Sequence, residues 1–167
     1  MTTTIPDHSS DFDTLEKMEW AFSKGDTFYF QKILDSKPSI VLRVHAVCML
    51  ADMNSEAAIP LLADALKKDP SPLVRHEAAF AMGQLEFKSA VPALVDAMAN
   101  DESVLVRHES AVALGSIGDE RAREGLIIRL GDSDEDVRLS AECALADLDF
   151  LKRLRLRTEP IPASALG

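Results

Sequence analysis

A ten-residue block that returns after 32 residues leaves this chain few folds to adopt. Val74-Arg75-His76-Glu77-Ala78-Ala79-Phe80-Ala81-Met82-Gly83 is followed at that offset by Val106-Arg107-His108-Glu109-Ser110-Ala111-Val112-Ala113-Leu114-Gly115, and seven of the ten positions are identical. A fixed period of this size marks stacked units, each too small to bury its apolar face alone.

The period runs well beyond the block. Arg43, Arg75, Arg107 and Arg138 recur at spacings of 32, 32 and 31 residues, each within an apolar stretch. The pattern predicts first helices over 40–53, 72–85, 105–117 and 136–148, with second helices over 55–68, 88–99 and 120–130 between them. Pro60 and Pro92, again 32 apart, fall in the first turn or so of second helices, where a missing N–H costs little. Asp69, Asp101 and Asp132 follow in short polar turns. Helix–turn–helix units of this length stack into an all-α solenoid, a superhelical array of antiparallel helix pairs. Ala78, Ala79, Ala81, Ala111, Ala113, Ala141, Ala144 and Ala146 permit close helix approach.

Upstream, 13–22 and 26–34 read as two further helices broken at Lys24-Gly25, a degenerate end unit covering the stack. Residues 11–155 are expected to form one domain, flanked by tails at 1–10 and 156–167. The basic cluster Lys152, Arg153, Arg155 and Arg157 suits a helix C-terminus, whose dipole favours positive charge.

Composition narrows the function classes. A net charge of −10 argues against a nucleic-acid partner, which needs clustered Lys and Arg, and suits a basic protein or cationic substrate. With no run of 18 or more apolar residues and no secretory leader, a cytoplasmic protein without a membrane partner is expected. Cys48 and Cys143 read as small buried hydrophobes in a reducing compartment. No Ser/His/Asp triad, phosphate loop or CxxC motif offers competing chemistry.

The His-Glu pairs remain. On a helix His76, Phe80 and Gly83 share a face, as do His108, Val112 and Gly115. Glycine inside a helix costs about 1 kcal/mol against alanine, so Gly83 and Gly115 are expected to leave a hollow beside each imidazole for a substrate. Equivalent helices pack about 8–10 Å apart, close enough for His76 and His108 to converge on one metal ion. A carboxylate from the same helices would complete a two-His, one-carboxylate set, typical of non-haem Fe(II) oxygen chemistry. The neighbouring units break the pattern, with Val44-His45 and Leu139-Ser140 at the aligned positions. Packing alone would not confine His-Glu to two units. The arginines recur in all four and read as an inter-repeat ion-pair ladder. His45 reads as structural.

Taken with Ala90-Val91-Pro92-Ala93-Leu94 and Ala113-Leu114-Gly115-Ser116-Ile117-Gly118-Asp119, these blocks resemble HEAT repeats over about residues 40–150. More specifically, they are similar to the deoxyhypusine hydroxylase family, because plain HEAT repeats lack paired His-Glu. The resemblance implies a di-iron monooxygenase using O₂ on an amine-bearing side chain, a lysine derivative of a protein. It implies His76, His108 and Glu109 as iron ligands, with Glu77 facing the cationic substrate or acting as a weaker ligand. That family carries four His-Glu pairs in two HEAT halves, whereas this chain matches one half. A di-iron site then needs a homodimer facing concave surface to concave surface, which two-fold symmetry allows; the alternative is one iron per chain, or none. The rival expectation is a non-catalytic HEAT adaptor, or a scaffold like the small bilin lyases, that binds a protein.

Overall fold

The computed structural model describes residues 9–158, with side chains from 11 to 156. Among them every regular element is helical: α1 (Ser9–Lys24), α2 (Thr27–Ser36), α3 (Ile40–Asp52), α4 (Ile59–Lys68), α5 (Pro72–Leu85), α6 (Val91–Asn100), α7 (Val104–Ile117), α8 (Arg123–Arg129) and α9 (Glu135–Thr158). Single 3₁₀ turns at Glu56–Ala58, Lys88–Ala90 and Glu120–Ala122 lead into α4, α6 and α8. These turns are the part of the expected second helices that is not α-helical. Pro60 and Pro92 sit in the first two positions of α4 and α6, as their missing N–H requires.

Two rows result. Helices α3, α5, α7 and α9 pack side by side in one row; α4, α6 and α8 form the other and lie against α5, α7 and α9 in turn. The core is the seam between the rows. Leu62, Leu66, Leu94, Met98 and Leu126 meet Val74, Met82, Val106, Leu114 and Leu148 there, all essentially without solvent contact. Each such side chain contributes about 1.5–3 kcal/mol by leaving water. That is why the period, rather than any one helix, carries the fold.

The arginine column is built as expected. Arg43 Nε donates to Asp69 Oδ2 at 2.8 Å, Arg75 Nε to Asp101 Oδ2 at 2.8 Å, and Arg107 Nε to Asp132 Oδ2 at 3.1 Å. Each fork therefore joins its helix to the turn that opens the next unit. Its Nη1 reaches back to the preceding turn, at the carbonyls of Pro38, Asp69 and Asp101. Arg138 keeps the backward contact, to Asp132 O at 2.8 Å.

Two expectations change. Helix α9 runs ten residues past Leu148, held by Arg123 Nη2 on Asp149 Oδ1 at 2.8 Å and Arg155 Nη2 on Gly118 O at 3.3 Å. The basic cluster is thus helical, and the expected tails fall mostly outside the described residues. The N-terminal pair buries Met18, Ala21 and Phe30 and leaves Phe12, Trp20 and Phe28 more than 60% exposed. Cys48 and Cys143 are exposed, not buried. They share the column of Phe80 and Val112, which no third layer of described residues covers.

Candidate metal centre

The site follows from register. One residue after each ladder arginine come Val44, His76, His108 and Leu139; one further come His45, Glu77, Glu109 and Ser140. Adjacent helices of the row are offset so that the first slot of one helix meets the second slot of the next. His76 Nε2 on α5 accordingly lies 3.2 Å from Glu109 Oε2 on α7. His108 Nδ1 on α7 lies 2.7 Å from Ser140 Oγ on α9. The other nitrogen of His76, Nδ1, is 3.3 Å from its neighbour Glu77 Oε1. Glu77 turns back on its own helix because the slot facing it from α3 holds Val44, which offers no partner.

Close approach of the helices sets these distances, and here the glycine expectation fails. A Cβ at Gly83 would stand 2.9 Å from Ala113 Cβ and 3.0 Å from Ala113 Cα; one at Gly115 would stand 3.0 Å from Ala144 Cα. Both glycines are buried at helix–helix contacts. The space that each glycine leaves is filled by the neighbouring helix. Gly83 and Gly115 act by letting α5 approach α7, and α7 approach α9, two turns along from the histidines.

The surroundings are apolar. Leu73 and Phe80 flank His76 at one turn on either side, and Leu105 and Val112 flank His108; all four are more than 40% exposed. Glu109 is nearly buried, and Glu77 is about a quarter exposed. Two open clefts of about 570 and 560 Å³ lie instead along the other row, around Leu34, Lys68, Asp64, Ala93 and Asp96. Neither cleft includes a residue of the His-Glu strip. His45 Nδ1 bonds its own helix at Val41 O, 3.0 Å away, so it joins no cluster. The Cys48 thiol is pushed up by partial burial, and further by the carboxylates of Glu77 and Asp52. That disfavours the thiolate a nucleophile or ligand needs.

Two donors on one cation at about 2.0–2.1 Å stand about 2.8–3.4 Å apart, for octahedral through tetrahedral angles. The 3.2 Å between His76 Nε2 and Glu109 Oε2 lies in that range. The donor types suit a first-row metal. A group of three His, Cys, Asp or Glu side chains disposed around one point does not occur among the described residues. Ser140 was missed by the sequence reading, which took Leu139-Ser140 only as the end of the motif. The 31-residue step from Glu109 to Ser140, the same as from Arg107 to Arg138, was the available signal.

Comparison with known proteins follows this geometry. A family model described as HEAT repeats matches residues 29–86 and 59–146. Human deoxyhypusine hydroxylase, solved in complex with glycerol, superposes with a TM-score of 0.73 at 28% identity, over 87% of this chain and 50% of that one. The complex of CpcE and CpcF of phycocyanin lyase from Nostoc gives 0.59 at 23% identity, over 77% of this chain and 56% of that one, a likeness of fold. The chain thus spans about half the length of these structures. Among curated proteins, none matches its sequence.

Proposed function

Since the chain belongs to the HEAT-repeat family, we propose that its His-Glu strip is half of an iron centre for O₂-dependent hydroxylation, completed by a second copy. The observation that carries this reading is the 3.2 Å approach of His76 Nε2 and Glu109 Oε2 across two helices. The likeness to a deoxyhypusine hydroxylase supports it. His76, Glu109 and His108 would hold the metal, which when bound would supply the oxygen-activating chemistry of a non-haem iron monooxygenase.

The chain's own residues have definite tasks in this scheme. Glu77, a quarter exposed beside His76, would accept hydrogen bonds from an ammonium on an amine-bearing side chain. Two copies facing strip to strip, with Leu73, Phe80, Leu105 and Val112 in contact, would expel water around the polar pairs. Removing water strengthens every charge interaction there.

Metal analysis of aerobically purified protein, together with light scattering, tests the reading. Iron near one equivalent per chain in a dimer is the expected result. Protein that stays metal-free and monomeric after anaerobic Fe(II) reconstitution overturns it. That outcome favours a second reading as a protein-binding adaptor, for which the exposed Leu73, Phe80, Leu105 and Val112 would be the docking face.

A further inference from the structure

The two histidines occupy equivalent slots yet sit in chemically different surroundings. Both nitrogens of His76 face carboxylate oxygens, Glu77 Oε1 at Nδ1 and Glu109 Oε2 at Nε2. His108 faces a hydroxyl instead. Ser140 Oγ lies 2.7 Å from His108 Nδ1 and also 2.7 Å from Asp136 O. Nε2 of His108 has no partner among the described residues.

A hydroxyl carries one hydrogen, and a backbone carbonyl can only accept. With both contacts short, the Ser140 hydrogen goes to Asp136 O. The hydroxyl lone pair then has to receive a hydrogen, which Nδ1–H of His108 supplies. The opposite arrangement, Ser140 donating to Nδ1, would press two lone-pair oxygens together at 2.7 Å. Ser140 is 7% exposed, so water competes little for either contact. The chain of bonds therefore selects one tautomer, with Nδ1 protonated and the lone pair on Nε2.

We infer that Ser140 is a positioning residue, which locks His108 as an Nε2 donor for a divalent metal. The metal half of this inference rests on the iron-centre reading above; the hydrogen-bond half does not. Serine in the slot that Glu77 and Glu109 fill elsewhere changes what the slot does. A carboxylate there would compete for the ring or for the metal. The hydroxyl only orients. The strip thus ends in a histidine held from behind, with its ligating nitrogen free. Partners of this kind, bonded to the far nitrogen of a ligating histidine, change metal affinity about 10–100-fold when removed.

The first test needs neither metal nor variant protein beyond assignment. Long-range ¹H–¹⁵N correlation spectra of the metal-free chain, above the histidine titration range, should show Nδ1 of His108 protonated and Nε2 bare. His108→Gln assigns the signals. An Nε2–H tautomer, or a ring averaging both forms, overturns the inference. The second test is calorimetric titration with Zn(II), as a redox-inert probe, and Fe(II) under argon. Ser140→Ala should weaken binding about 10–100-fold, and Ser140→Thr, which keeps the hydroxyl, should restore most of it. Thermal melts of the two variants should agree. Wild-type affinity in Ser140→Ala overturns the positioning role. A wild-type chain that takes up neither ion sinks the iron reading and the metal half with it, while the tautomer spectrum still decides the hydrogen-bond half.

Discussion

Two polar ladders run along the same row of helices, and they are built to opposite rules. In the arginine ladder each fork of Arg43, Arg75 and Arg107 finds an aspartate of the next turn, and both partners are nearly buried. One residue further along, the histidine ladder has a single carboxylate rung, His76 to Glu109, and then stops on Ser140. The first is uniform because every repeat needs its turn tied to the preceding helix. The second is confined to the middle of the stack and stays on an uncovered face. Recurrence in every repeat marks a load borne by the fold; recurrence in two marks something the fold was not using.

The contrast breaks if the uniform ladder proves dispensable. Arg75→Ala leaves Asp101 nearly buried with only a backbone donor, from Ser103 N at 2.8 Å. Stripping one partner from such a pair costs about 3–5 kcal/mol, a loss that urea unfolding followed by circular dichroism would register. A loss under 1 kcal/mol would mean that the fork is ornament. Next in size is Gly83→Ala. Alanine gains about 1 kcal/mol of helix propensity, but its Cβ meets the Cα and Cβ of Ala113 at 3.0 and 2.9 Å. Overpacking against backbone costs about 1–3 kcal/mol, so the net change is destabilising by up to about 2 kcal/mol. Because it parts α5 from α7, this variant should also weaken metal uptake; unaltered stability and uptake would remove the glycine from the account.

How much of this was legible depends on which residues repeat. The arginine period set the number and order of the repeats, and Asp69, Asp101 and Asp132 were placed in turns by their neighbours. The pairing of the two columns could be anticipated because both recur. What could not be read was anything decided by contact between successive repeats. Gly83 and Gly115 looked like room for a ligand, since a sequence shows a missing side chain but not what fills its place. The cysteines looked buried because helical period alone does not say that this row has only one covered side. Leu148 looked like a stop, yet Asp149 and Arg155 reach partners on α7 and α8 that lie far off in the sequence. The offset that sets His76 against Glu109, and His108 against Ser140, is likewise a property of how two helices slide together.

Acid should separate the ladders further. The Arg107 guanidinium beside Asp132 lowers that carboxyl below its ordinary range. Outside the ladder, in the turn after α7, Arg121 and its backbone N–H hold Asp119 at about 2. For a carboxyl depressed in the folded state, stability is fully present above the unfolded value, near 4, and is lost as pH falls through the folded value. Melting temperature should therefore be level from pH 7 to about 5 and fall between about 4 and 2. Asp119→Asn should flatten part of that slope while lowering the neutral plateau. An unchanged slope below pH 4 in Asp119→Asn would remove that carboxyl from the chain's acid response.

The smallest expected effect on stability is the most telling for the comparison. His76→Ala removes a ring that touches solvent and two carboxylates, Glu77 and Glu109, neither of which anchors a turn. Partly exposed polar pairs of this kind contribute about 0–1 kcal/mol, and the change leaves Glu77 and the nearly buried Glu109 without the ring. The balance should stay within about 1 kcal/mol of wild type. Over the same substitution, affinity for Zn(II) or Fe(II) should fall by more than tenfold, whereas Arg75→Ala should lose metal only as it loses structure. If His76→Ala instead unfolds the chain as readily as Arg75→Ala, the two ladders are one device, and the half-exposed strip is part of the scaffold after all.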